Sequence, residues 1–190
     1  MLKRFGKLKL LIGVAMTAAL FVANIGVASA HQWCNGYPYG CFHWDKSGPQ
    51  IVVQVYNTAS HWTQAEAARQ DGWNKIGILY NYNVGYHTDI HVFDGYFGNT
   101  GWSGLASLES IDFDWGCVCW DHISHAHARY NNSMGWPDWA IQGVFCQEMA
   151  HGWGLDHSNT GDCMGMTYFN WINTYGPHNN TDFYNMYRFH

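Results

Sequence analysis

Cys146-Gln147-Glu148-Met149-Ala150-His151-Gly152-Trp153-Gly154-Leu155-Asp156-His157 is the stretch on which the fold turns. Upstream of it, Pro137 fits the first turn of a helix and Asp138 complements that helix's positive end. Ile141, Val144, Phe145 and Met149 follow at helical spacing, so a long helix is predicted to stop near Gly152–Gly154. Glu148 lies three residues before His151 and Gln147 four, which puts all three on one face. Gly154 can take the left-handed conformation that ends a helix and turns the chain. That bend would return His157 alongside His151. Two imidazoles are then offered to a metal, with a carboxylate beside them free to handle a proton. Hydrolytic zinc sites need three protein ligands, an open position for water and a base next to it. With this composition, Glu-x-x-His-x-x-Gly-x-x-His arises by chance in about one chain per thousand.

Outward from this helix, Ile51–Tyr56 is a β-branched run of strand length. Ser60 can cap a helix that runs through Ala65, Ala68 and Arg69 and ends at Gly72. Ile76–Tyr80 and Thr88–Phe93 are short strand candidates. Gly98-Asn99-Thr100-Gly101 reads as a turn into a strand over Trp102–Ile111, and Asp121–Tyr130 as a half-buried strand. Residues 31–49 read as an irregular leader, with Cys34–Cys41 as a candidate pin, and the Gly/Asn/Tyr-rich tail as irregular too. The order is strand, helix, several strands, then a long helix, which predicts a layered α+β or α/β domain.

Four of the nine Lys+Arg residues (Lys3, Arg4, Lys7, Lys9) open the chain. Leu10–Val27 is apolar, and Ala28-Ser29-Ala30 is a small-residue exit. These are the marks of a secretory signal peptide over residues 1–30. The run is long enough for an anchor, but its Ala, Gly, Thr and Asn24 content makes it weakly apolar, so cleavage after Ala30 is expected. Residues 31–190 then form one secreted, monomeric domain with 5 basic and 14 acidic residues. That balance argues against nucleic acid and anionic membranes as partners, because no cationic surface is there to displace counterions. Only 12% of residues are charged and 11 are Trp, so the chain is not disordered. All six cysteines follow Ala30, which points to disulfides in an exported chain. Cys117-Val118-Cys119 lacks the two-residue spacer of a zinc knuckle. Six cysteines allow fifteen pairings, among which sequence alone does not choose.

The late segment resembles the elongated zinc signature of the metzincin metalloproteases, His-Glu-x-x-His-x-x-Gly-x-x-His. Cys146-Gln147-Glu148, Gly154-Leu155-Asp156-His157 and Cys163-Met164 look most like a secreted, matrixin-like group with Gln at the first ligand position. Trp62, Ala67, Ala68 and Trp73-Asn74 look like that group's first helix, Gly98–Trp102 like its edge-strand approach, and His122-Ile123 like the next strand. The resemblance implies a zincin-like α+β domain: a twisted, mostly parallel sheet, an active-site helix and an irregular C-terminal subdomain. It implies Glu148 as general base and His151, His157 and Gln147 as ligands of one catalytic zinc. Met164 or Met166 would supply the methionine turn beneath the metal, and we take Met164. In some metzincins a Tyr two residues past that methionine stabilises the oxyanion. Tyr168 holds this place relative to Met166, which makes it the candidate. A Cys146–Cys163 bridge would then staple the zinc helix to the methionine turn.

Gln147 is the departure from the pattern. It offers an amide oxygen where the family has an imidazole, a poorer zinc donor. Gln147 ligates through that oxygen, another histidine such as His178 supplies the third nitrogen, or the metal is lost. The expected activity is hydrolysis of polypeptide substrates; the alternative is a catalytically silent secreted binding protein of the same fold, taking protein or glycan. His125-Ala126-His127 would put two imidazoles on one strand face, and His87-Thr88-Asp89 is similar to the start of the structural zinc site in matrixins. The spacings do not reproduce that site, so these histidines read as surface or hydrogen-bonded side chains. A second zinc, or a calcium on Asp112, Asp114 and Asp121, has no support in the sequence. Trp33, Trp44, Trp102, Trp115, Trp120 and Trp136 could stack on sugars, but core and cleft-rim packing accounts for most such residues.

Overall fold

The computed structural model describes residues 34–36, 40–45, 51–56, 60–76, 88–115, 119–158, 161–165 and 172–187. The predicted signal peptide, Met166 and Tyr168 lie outside these residues. The elements are β1 (Cys34–Gly36), β2 (Gly40–Cys41), β3 (His43–Trp44), β4 (Val53–Val55), α1 (Trp62–Ile76), β5 (Ile90–Gly95), β6 (Gly104–Asp114), β7 (Cys119–Asn131), α2 (Asp138–Gly152) and α3 (Pro177–Tyr187). β3, β5 and β4 run parallel in a sheet with β7, and β6 pairs antiparallel with β7. The architecture is α+β, with a mostly parallel five-stranded sheet and three α-helices.

Alternation along the strands decides which face is covered. Ile90 and Val92 on β5 and Ile123, Ala126, Ala128 and Tyr130 on β7 are buried. Ile141, Val144, Phe145 and Met149 of α2 and Ala65 and Ala68 of α1 join them in one core. Small residues let the helix close on the sheet: a Cβ on Gly152 would meet the Ile90 side chain at 3.3 Å. Trp44 locks this approach by donating its indole N–H to the Gly152 carbonyl at 3.0 Å. The opposite face carries His91, Phe93, His125, His127 and Arg129, all half-buried. Among the described residues, no helix is long and apolar enough to cross a membrane.

Three expectations need correction. The leader is not irregular throughout: it holds β1–β3, with Cys34 opposite Cys41 in an antiparallel pair and β3 added to β7. Cys41 is disulfide-bonded. α1 does not end at Gly72 but continues to Ile76, so Ile76 is helical and residues 77–80 lie outside the described set. Gly72 is buried, and an Asp71–Lys75 ion pair at 3.1 Å and a Gln70–Asn74 hydrogen bond at 3.1 Å support the extra turn. The tail holds α3, in which Asn179, Phe183 and Tyr187 are buried at four-residue spacing. Its Asn and Tyr content favours no helix, and tertiary packing overrides that preference.

Two fully buried phenols tie the late segments together. Tyr187 donates to the Trp153 carbonyl and Tyr175 to the Cys146 carbonyl, each at 2.7 Å. Burial pushes both hydroxyls well above their ordinary value. In the unfolded chain they ionise at about pH 10. Stability is therefore intact below that pH and falls above it, by about 1.4 kcal/mol per pH unit for each phenol. Thermal unfolding between pH 8 and 11 reads this directly; a flat melting temperature across the range contradicts it.

Candidate metal centre

From Val144 to Gly152 every residue of α2 is buried, polar ones included. The helix ends as its glycines dictate. Gly154 takes φ +97°, its N–H bonds the His151 carbonyl at 2.9 Å, and the Leu155 N–H bonds the Ala150 carbonyl at 3.0 Å. This is a Schellman cap with buried Leu155 as its apolar contact. Only glycine fits at its centre, because a Cβ on Gly154 would stand 2.4 Å from the Phe42 carbonyl oxygen.

The cap reverses the chain and brings His157 to His151. Their Nε2 atoms lie 3.1 Å apart and the rings are perpendicular, with centroids at 4.5 Å. His151 Nδ1 donates to the Leu155 carbonyl at 2.7 Å, which fixes the tautomer that turns its Nε2 lone pair toward His157. Burial, reinforced by the neighbouring His157, pushes His151 down to about 4, so its ring is neutral at pH 7. His157 is also lowered by burial, against the pull of Asp156.

Glu148 leaves the same helix toward β6. A Cβ on Gly104 would meet its Oε1 at 2.5 Å and Val144 Cγ1 at 2.4 Å, so the bare glycine makes room for the carboxylate. Burial raises Glu148 to about 8, and a hydrogen bond from the Ala106 backbone N–H opposes the rise. Gln147 is 8% exposed, on the helix face of His151. His178 does not complete the pair. It faces Asp182 of its own helix at 2.9 Å. It also forms no three-ligand cluster with His151 and His157.

Met164 is fully buried in a turn closed by a hydrogen bond from the Gly165 N–H to the Asp162 carbonyl. Asp162 Oδ1 accepts from Met164 N at 2.9 Å and from Ser158 Oγ at 3.0 Å, and Ser158 N bonds the Met164 carbonyl at 2.7 Å. The turn thus lies against the residue that follows His157. Cys146 and Cys163 are bonded, with Cα atoms 5.9 Å apart and a separation of 17 residues. Such a loop stabilises by about 3 kcal/mol in the chain-entropy picture. The bridge joins α2 to the turn that holds Met164, the pairing expected from the positions of the two cysteines.

A second cluster stands on the other face of the sheet. His91, His125 and His127 each offer a ring nitrogen within 4.8 Å of the others, and the group could hold a metal ion. Among the described residues it is the one cluster of three or more His, Cys, Asp or Glu ligands this close together. The sequence shows His125 and His127 on one strand face but does not point to His91. The Ile90-His91-Val92 alternation places His91 opposite the core, yet only the pairing of β5 with β7 brings it to the other two. The tryptophans divide: Trp44 is a core residue, Trp136 donates to Ser103 Oγ at 2.8 Å, and Trp115 is 84% exposed. No family model matches the chain, and comparison with curated proteins finds no match either.

Proposed function

We propose that the chain is a secreted, zinc-dependent endopeptidase of the metzincin type, with Glu148 as general base and His151, His157 and Gln147 as metal ligands. One observation carries the reading: the His151 and His157 Nε2 atoms face each other at 3.1 Å, and the buried Glu148 stands one helical turn before His151. Neighbouring nitrogens on a tetrahedral zinc stand about 3.3 Å apart, given Zn–N distances of about 2.0–2.1 Å. The neutral rings and the Leu155 carbonyl behind His151 suit the same donor chemistry. A zinc held there would supply a Lewis acid for the scissile carbonyl and for the attacking water.

The chain's own residues do the proton work. Glu148 takes a proton from water as the oxygen attacks the peptide carbonyl, then delivers it to the leaving nitrogen as the C–N bond breaks. The Ala106 amide holds the carboxyl group in place; burial alone keeps it largely protonated at neutral pH, and the positive charge of a bound cation would favour the carboxylate that accepts the proton. Among the described residues β6 pairs only with β7, so its outer edge is open beside Glu148. An extended polypeptide can add to such an edge, which favours a peptide substrate. Tyr168 remains the candidate oxyanion stabiliser and Met164 the turn methionine.

Zinc content of the purified protein and casein cleavage before and after chelation test this. The expected result is chelator-sensitive cleavage, restored by zinc, together with a lower melting temperature of the stripped protein. Folded protein that keeps no zinc and cleaves nothing overturns it in favour of a binding protein of the same fold. If the Gln147 amide faces the metal, Gln147→His adds a third imidazole and tightens zinc by tenfold or more in chelator competition. Unchanged retention removes Gln147 from the ligand set.

A further inference from the structure

On β7, His125 and His127 share the face turned away from the helices, and His91 on β5 is registered against His127. The His125 and His127 Nε2 atoms lie 3.2 Å apart. The His91 ring stands perpendicular to His125 with centroids at 4.6 Å, and stacks on His127 at 5.4 Å. The β6–β7 register shifts between Leu108 and Ser110 and again between Ser110 and Ile111, with Ser110 opposite His125. Such irregularities bend a strand and re-aim its side chains, and they are frequent at sheet edges and beside functional sites.

The surroundings have the layout of a metal's outer shell. Glu109 Oε1 lies 3.1 Å from His127 Nδ1, so the carboxylate can accept that N–H and leave Nε2 facing His125. The Tyr56 hydroxyl lies 3.1 Å from His91 Nε2 and 3.4 Å from its Nδ1. Arg129 Nη2 lies 3.4 Å from the same His127 Nδ1, and Glu109 holds this guanidinium at 2.6 Å. A bond between two rings would account for His125 and His127. It would not account for His91 closing on both, nor for the carboxylate behind His127.

We propose that His91, His125 and His127 bind a zinc-class divalent cation that clamps β5 to β7 on the outer face of the sheet. An all-imidazole set suits zinc, copper or nickel, whereas calcium and magnesium require oxygen donors. The cation would stabilise the sheet that carries α2 and has no part in peptide hydrolysis. This inference stands whether or not the helix pair is a catalytic centre.

The test uses protein carrying His157→Ala, dialysed against metal-free buffer after loading with zinc. About one zinc per chain is expected to remain, and adding His125→Asn and His127→Asn removes it. Chelation lowers the melting temperature of the first protein and leaves the triple variant unmoved. Glu109→Gln, in the otherwise unchanged chain, keeps every proposed ligand and is expected to weaken one zinc by about 10–100-fold. Folded His157→Ala protein without zinc overturns the proposal. So does zinc retention that neither the paired substitution nor Glu109→Gln alters.

Discussion

Glu148→Gln is expected to lower casein cleavage by about 10²–10⁴-fold, the usual worth of a positioned general base. Zinc content should be unchanged, because Glu148 turns toward β6 while the paired Nε2 atoms belong to His151 and His157. The fold should survive as well. The amide oxygen can still accept the Ala106 N–H, and the substitution keeps the volume that Gly104 leaves open. What is lost is the ability to take a proton and return it. Activity within fivefold of the parent, in folded and zinc-loaded Glu148→Gln, removes Glu148 from the reaction.

Gly154→Ala should show the largest structural effect. The position sits at φ +97°, which costs an L-residue about 1–2 kcal/mol. Its new Cβ would meet a backbone oxygen, Phe42 O, at 2.4 Å, and backbone cannot swing away as a side chain can. Overpacking of this kind adds about 1–3 kcal/mol. At about 2–4 °C per kcal/mol for a chain of this size, the melting temperature should fall by roughly 5–15 °C. Because the cap aims His157 at His151, zinc retention at that pair should weaken by at least tenfold. Gly161→Ala is the control: φ is also positive, +72°, but the nearest atom to its Cβ is 3.8 Å away. It should lose only the small backbone component and keep its zinc. Equal melting temperatures and zinc affinities for the two variants contradict this account of the turn.

The legible parts of the chain were those with local causes. Pro137, the apolar spacing of α2 and the glycine after it marked a helix and its end to within a residue or two, since caps and periodicity act over a few positions. Gly98 and Gly101 both take positive φ at the expected turn into β6. The missed elements depend on distant partners. α3 is written in Asn, Tyr and His, and what fixes it is Phe183 packing edge-on against Trp153 and the Tyr187 hydroxyl, which accepts from the Trp44 backbone N–H and donates to the Trp153 carbonyl. α1 passes Gly72 because the residue is buried, a fact no propensity carries. The helix-end site could be read because Gln147, Glu148, His151 and His157 lie within eleven residues. The outer-face cluster could not: His91 meets His127 only through the β5–β7 register, across 36 residues of chain.

The most direct measurement is the zinc content of purified wild-type and His157→Ala protein after identical loading and dialysis, with circular dichroism on each sample. If His151 and His157 jointly grip a cation, the substitution removes about one equivalent per chain and leaves the spectrum intact. Equal zinc in two equally folded proteins would mean that nothing is held between those rings.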